Sequence, residues 1–362
     1  MKVLIEDTNN RSGKVRLVIK QLPSKVRKER SLLKNIAGLT LARDLHYAKK
    51  GIGNCLVSGI TWGIDAVLLG YLLTKYPFND PETALQASLI AACIHTGFSS
   101  LFTLLYNVYT GKVREFGRCL FSKMGVLITI SAVLSGPLAM SGYLLGINMA
   151  GASYTAVITS CYPAIGTVLA VIFLKEKLNK RTLLGILLCV LGAVATGYVA
   201  PTDVLYSKFY LGVIFAFVAA LGWGLEGVFG AYAMDVVDPE IAISVRQTVS
   251  FFMYLVFVIP FINGFELLFN AFTASNTLIL VSAGIVCSVS YLTWYLGLSM
   301  TGVGRAMALN ITYPIWVLLL EWLITGVPPS LTLIIGCLVI VFGAILVSGN
   351  PIEMLKLRDY KE

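Results

Sequence analysis

Residues 124–174 read MGVLITISAVLSGPLAMSGYLLGINMAGASYTAVITSCYPAIGTVLAVIFL, without a single Asp, Glu, Lys or Arg. A hydrocarbon core about 30 Å thick is crossed by about 20 apolar residues as helix. The stretch is therefore long enough for two crossings, joined by a short turn near Asn148. A soluble core has no use for so long an uncharged run. The reading points to a helical membrane protein.

The rest of the chain agrees. Of 362 residues, 57% are hydrophobic and 13% charged, where a soluble domain carries about 25% charged. Mean hydropathy is +0.81, which excludes disorder. Ten stretches fit a crossing: 52–74, 84–110, 124–147, 151–174, 182–200, 209–233, 241–262, 277–299, 304–325 and 331–349. The predicted fold is all-α, with ten transmembrane helices as two inverted five-helix repeats. It is bounded as a basic segment 1–50, a first repeat 51–200, a second 208–349 and a tail 350–362.

Charge orients the bundle. Residues 1–50 hold thirteen Lys or Arg against four Asp or Glu, so the whole net charge of +9 lies ahead of the first span. The pI of 9.1 is thus no sign of a nucleic-acid-binding core. Further basic clusters follow the second span (Lys112, Arg114, Arg118, Lys123), the fourth (Lys175, Lys177, Lys180, Arg181) and the tenth (Lys356, Arg358, Lys361). Cytoplasmic loops collect such residues, so both termini are expected in the cytoplasm of a bacterial plasma membrane. The first fifty residues do not read as a cleaved signal peptide. Residues 29–48 form a candidate interfacial helix, with Leu32, Leu33, Ile36, Leu39 and Leu45 on one side.

The chain is written twice. Trp62-Gly63-Ile64-Asp65 matches Trp223-Gly224-Leu225-Glu226. Leu145-Gly146-Ile147 before Met149 matches Leu296-Gly297-Leu298 before Met300. Tyr162-Pro163 matches Tyr313-Pro314, and Gly185 with Gly192-Ala193 matches Gly336 with Gly343-Ala344. The last three sets share an offset of 151 residues. Five spans per half is odd, so the halves face opposite ways, the architecture of secondary transporters with a site near the midplane. There is no HExxH, P-loop or Gly-x-Ser-x-Gly, so no enzyme is predicted. Seven scattered cysteines without a CxxC, and only His46 and His95, predict neither disulfides nor a metal, and no cofactor is expected.

Two halves with aromatic-Gly starts, and a Pro-bearing fourth helix running into Lys-Glu-Lys (175–177), resemble the drug/metabolite transporter superfamily of the EamA type, over about residues 50–350. Within it, Gly136-Pro137, the Ser160–Pro163 region, Trp223-Gly224 with Glu226, Arg246-Gln247 and Asn310-Ile311-Thr312-Tyr313 resemble bacterial choline transporters of the LicB type. That resemblance implies a choline-like cargo.

Ionisable residues inside spans are costly and need a reason. Asp65 and Glu226 are the deep acids. At about 1.5 Å rise per residue, Trp62, Trp223, Tyr162 and Tyr313 all fall near the midplane. Arg246 and Arg305 are placed near cytoplasmic ends, free to snorkel, and Glu321 near the outer headgroups. No deep Lys or Arg is expected to neutralise the acids. Ring faces plus a carboxylate suit a quaternary ammonium, which has no N–H to donate. The predicted substrate-binding residues are Trp62, Trp223, Glu226, Tyr313 and Asn310, followed by Asp65, Tyr162, Trp294 and His95. Alternatives stay open for several. Asp65 fits a proton carrier or an intramembrane hydrogen-bond partner, and His95 a core hydrogen bond or proton coupling. The two tyrosines fit kink braces, Asn310 a partner for carbonyls freed by Pro314, and Trp294 simple packing.

The expected partners are the bilayer and a small organic cation. Two rival readings are an exporter of amino acids or drugs, with Asp65 and Glu226 as proton relays, and a membrane sensor whose basic tail does the work.

Overall fold

The computed structural model describes residues 24–80, 82–166, 168, 180–198, 208–234, 236–272, 274–301 and 303–348. The expectations for Lys175–Lys177, for most of residues 1–50 and for the 350–362 tail lie outside the described residues, as does the side chain of Arg305. The chain divides into two units, 1–46 and 47–362. In the first, the described backbone is helical from Ser24, which agrees with a helix over 29–48.

Among the described residues there is no strand. In a bilayer every backbone N–H and C=O must be met from within the chain, and helices do this. The second unit holds the later part of α1 (Ser24–Leu73), then α2 (Ala84–Tyr109) and the short α3 (Val113–Leu120). Next comes a long helix built of α4 (Lys123–Val133), a π-helical stretch Leu134–Met140 and α5 (Ser141–Ala150). Then follow α6 (Ala152–Thr159), α7 (Lys180–Tyr198), α8 (Phe209–Ala233) and α9 (Pro239–Met253), which continues through a π turn to Phe261. The chain ends on α10 (Phe265–Asn270), α11 (Ala274–Thr301), α12 (Val303–Asn310), α13 (Tyr313–Thr325) and α14 (Leu331–Ser348).

Among the described residues, six helices are long and apolar enough to cross a membrane: Lys49–Leu73, Ala84–Tyr109, Lys123–Ala150, Phe209–Gly230, Pro239–Phe261 and Ser275–Thr301; Tyr313–Thr325 and Leu331–Leu346 are shorter apolar helices.

The fourth and ninth expected spans differ from prediction. Both were drawn as continuous helix and both break, at Ser160-Cys161 and at Ile311-Thr312. Pro163 and Pro314 have no N–H and restrict the residue ahead of them, so each helix restarts at its Tyr-Pro, and α13 carries Pro in its first turn. Hydroxyls at each break bond back to the preceding turn: Ser160 Oγ donates to Val157 O at 2.6 Å and Thr312 Oγ1 to Leu309 O at 3.1 Å. The π stretch around Pro137 is served from α9, where Ser250 Oγ donates to Ala132 O at 2.7 Å and Tyr254 OH to Gly136 O at 2.8 Å.

Small residues set the closest helix contacts. α7 lies along α14, where a Cβ on Gly192 would sit 2.6 Å from Ile340 Cγ1 and one on Gly343 2.8 Å from Gly185 O. Gly151, at φ +88°, makes the tight reversal from α5 to α6 that a side chain would strain.

Two features mark opposite ends of α2. Beyond its C-terminus, Lys112 reaches the N-terminus of α9, where Asp238 is the cap, Pro239 stands at N1 and Glu240 lies in the first turn. Lys112 Nζ is 2.8 Å from Asp238 Oδ2 and 2.5 Å from Glu240 Oε2. Tyr106 OH donates to Glu240 Oε1 at 3.1 Å. Beyond its N-terminus lies a cavity of about 770 Å³, whose walls include Asp80, Asn148, Lys208 and Glu321. Glu321 lies one turn before the end of α13 and is half-buried. It accepts from the backbone N–H and hydroxyl of Ser153, in the first turn of α6, where unpaired N–H groups and the helix dipole favour an acid.

Candidate functional site

Where α1, α5, α8 and α11 meet beside the two broken helices, four rings pack together, Trp62 edge-on to Trp223 and Tyr291 and tilted against Tyr143. Trp62 and Trp223, the repeat-related pair, lie 5.4 Å apart at 83°. Tyr291 meets Trp62 at 5.3 Å, and Tyr143 meets Trp62 at 5.6 Å and Trp223 at 5.1 Å. Such edge contacts let each negative ring face meet a positive ring edge. Beside them lies a cavity of about 50 Å³, where about 10–15 Å³ admits one water.

Seven of the nine predicted residues line it: Trp62, Trp223, Glu226, Tyr313, Asn310, Tyr162 and Trp294. The two helix breaks supply both tyrosines and the asparagine, and they are tied to each other. Thr159 Oγ1 and Tyr313 OH lie 2.8 Å apart, and Tyr162 OH donates to Asn310 Oδ1 at 3.5 Å. Asn310 Nδ2 donates to Ser58 Oγ at 2.9 Å.

Asp65 and His95 stand elsewhere. They face each other across α1 and α2, His95 Nε2 to Asp65 Oδ1 at 3.1 Å, both fully buried. Neither lines the cavity, although Trp62 lies one helical turn before Asp65. Cys287 completes the cluster, with one O, N and S donor within 4.8 Å of one another, a donor set suited to a transition metal. The seven cysteines are free and buried.

Arg246 overturns the expectation that no deep cation opposes the acids. Its side chain is 1% exposed. α9 starts at Pro239, so Arg246 lies seven residues, about 10 Å, along the helix. There it finds internal partners in place of a snorkelling route. Nε is 3.2 Å from Glu226 Oε1, the guanidinium stacks 4.2 Å over the Tyr291 ring, and Nη2 donates to Tyr291 OH at 3.2 Å. Nη1 donates to Gln247 Oε1 at 2.7 Å, and Gln247 Nε2 donates to Ser99 Oγ at 2.6 Å. Tyr295 OH also donates to Glu226 Oε1, at 2.7 Å.

Tyr291, Ser58, Ser290, Gly227 and Met307 complete the lining and were not singled out in the sequence. The repeat could not point to Tyr291, because its counterpart 151 residues earlier is Met140. Helical spacing does, since Cys287, Tyr291, Trp294, Tyr295 and Leu298 form one i, i+3, i+4 stripe of α11.

The EamA-like transporter family model matches residues 49–198 and again 210–349. The chain belongs to the EamA-like transporter family. Among curated relatives, Protein LicB of Haemophilus influenzae (strain Rd) is 26% identical over 274 residues, covering 75% of this chain and 88% of that protein. An uncharacterized transporter of Clostridium kluyveri is 25% identical over 243 residues, covering 65% of this chain and 75% of its own. A solved crystal structure shares the fold at TM-score 0.56 and 18% identity, covering 84% of this chain and 97% of the other. The EamA-type assignment, with its likeness to LicB, thus agrees with the resemblance read from the residues, and the protein is a multi-pass membrane transporter.

Proposed function

We propose that this EamA-family chain is a secondary transporter of a small organic cation, choline or a related quaternary ammonium. The single observation that carries the reading is the cavity walled by Trp62, Trp223, Tyr291 and Glu226. A methylated ammonium is held by ring faces and a nearby carboxylate, each ring contributing roughly 0.5–2 kcal/mol once desolvated. The choline-type resemblance at Trp223-Gly224, Glu226, Arg246-Gln247 and Asn310–Tyr313 supports the same cargo.

Alternating access follows if the halves are inverted copies, ten crossings in all, with both termini cytoplasmic in a bacterial plasma membrane. The Lys112 ion pairs then close the cytoplasmic end, and the larger cavity at the other end of α2 is the outer vestibule. The test is uptake of labelled choline into vesicles carrying the purified protein. Saturable uptake, lost in Glu226→Gln, is expected. Absence of uptake of every quaternary ammonium, with amino acids transported instead, would refute the assignment.

One observation favours a second reading, proton-coupled export of amino acids or drugs: the buried Asp65–His95 pair. Under that reading Asp65→Asn abolishes proton movement accompanying cargo.

A further inference from the structure

The two deep acids occupy matching places in the halves, one on the first helix of each, and each has a base from the helix that follows. Asp65 on α1 pairs with His95 on α2; Glu226 on α8 pairs with Arg246 on α9. His95 and Arg246 are themselves 151 residues apart, the offset that relates the later helices of the halves. The inherited device is an acid–base pair, and the two copies have diverged in one respect. Histidine gains and loses its proton near neutrality, whereas arginine stays charged at every physiological pH.

From this geometry we infer that Arg246 is a positioning residue for cargo, fixing where the carboxylate of Glu226 and the ring of Tyr291 sit. This rests on the reading of the aromatic cavity as the cargo site. Arg246 does not line that cavity; it acts through two residues that do. Its guanidinium covers a face of Tyr291 and its Nε lies against Glu226 Oε1, the oxygen that Tyr295 OH also meets. Among the described hydrogen bonds none falls on Oε2, which leaves that oxygen for an incoming cation. The groups around the Glu226 side chain are Arg246 from α9, Tyr291 and Tyr295 from α11, Trp62 from α1 and Tyr162 beyond the first helix break, while Ser131 from α4 donates to the Glu226 backbone carbonyl. Arg246 is the one permanent cation in this set. Without that partner the carboxylate loses the charged contact that fixes its oxygens, and the negative charge offered to a quaternary ammonium is no longer held in one place.

The test uses the full-length protein and choline as probe. An infrared difference between wild type and Glu226→Gln isolates the Glu226 carboxyl band. That band should move in Arg246→Gln and keep its wild-type place in Arg246→Lys. Choline titrated by tryptophan fluorescence should bind Arg246→Gln roughly tenfold more weakly than wild type, while the same change made in Glu226→Gln should cost nothing further. Arg246→Lys should bind choline within about threefold of wild type. A Glu226 band that ignores Arg246→Gln would overturn the inference, as would a loss of equal size in both backgrounds. Should Arg246→Gln fail to fold, a tenfold loss in a folded Arg246→Lys that leaves the band in place would overturn it as well. Should wild type bind no choline while the infrared pattern holds, the cargo reading fails and the assignment of Arg246 stands.

Discussion

Trp223 touches Trp62 and Tyr143 and lines the cavity, so its indole contributes both packing and a ring face. Replacing it with Ala should weaken choline binding by roughly two- to thirtyfold, the equivalent of about 0.5–2 kcal/mol. Calorimetric titration checks this, and unchanged affinity would remove Trp223 from the cargo surface. The residues legible in advance were those written twice. Trp62 and Trp223, or Tyr162 and Tyr313, stand out because chance does not place them at matched positions. Arg246 was not legible in that way. A basic residue near a helix start reads as a snorkelling anchor, and only the packed structure puts Glu226 and Tyr291 within its reach. Asp65 was legible as a deep acid, but its partner decides its role, and His95 lies thirty residues away on another helix.

At the level of helices, periodicity and length found the long spans because an uninterrupted apolar run has one solution in a bilayer. The breaks at Ser160-Cys161 and Ile311-Thr312 were hidden for the same reason. Hydropathy does not change across them, and a Pro inside an apolar run reads equally well as a kink. The small residues of α7 and α14 were legible as part of the repeat, and the close contact they allow has a measurable cost. Gly192→Ala places a methyl 2.6 Å from Ile340 Cγ1 and 3.1 Å from Gly336 O. Overpacking of this kind costs about 1–3 kcal/mol, so thermal unfolding in detergent should fall by several degrees. Gly53, where an added Cβ meets nothing within 4 Å, is the control, and Gly53→Ala should leave the transition where it is. Equal transitions for both variants would show that the helices do not meet as described.

For the molecule as a whole, Lys112, Asp238 and Glu240 tie α9 to one end of α2, while the other end of α2 borders a large cavity. Lys112 is part of the tie at every pH a cell meets. Burial alone would lower its proton affinity, but the hydrogen bonds and charges of Asp238 and Glu240 outweigh it and hold the ammonium well above the ordinary lysine range. A base with its folded value raised stabilises the closed tie below the unfolded value and gives that up only as pH rises through the folded one. The ammonium therefore stays protonated from neutral through mildly alkaline pH, and its contribution is lost only in strong alkali. Lys112→Ala should shift the population toward opening at this end. A cysteine placed at Ser244, whose hydroxyl Asn107 Nδ2 contacts at 2.5 Å, should then be alkylated several-fold faster than in a Lys112 background. Equal rates would mean that the ion pairs are surface decoration, as many exposed pairs are.

The claim on which the account turns is that Glu226 and the rings around it receive a quaternary ammonium. Isothermal titration of choline into purified protein, wild type beside Glu226→Gln, asks this directly. The account predicts one saturable site in the wild type, weakened at least about tenfold when the carboxylate becomes an amide, a difference of about 1.4 kcal/mol. Choline binding that is indifferent to the Glu226→Gln change, or no binding to a wild type that does bind an amino acid, would contradict it.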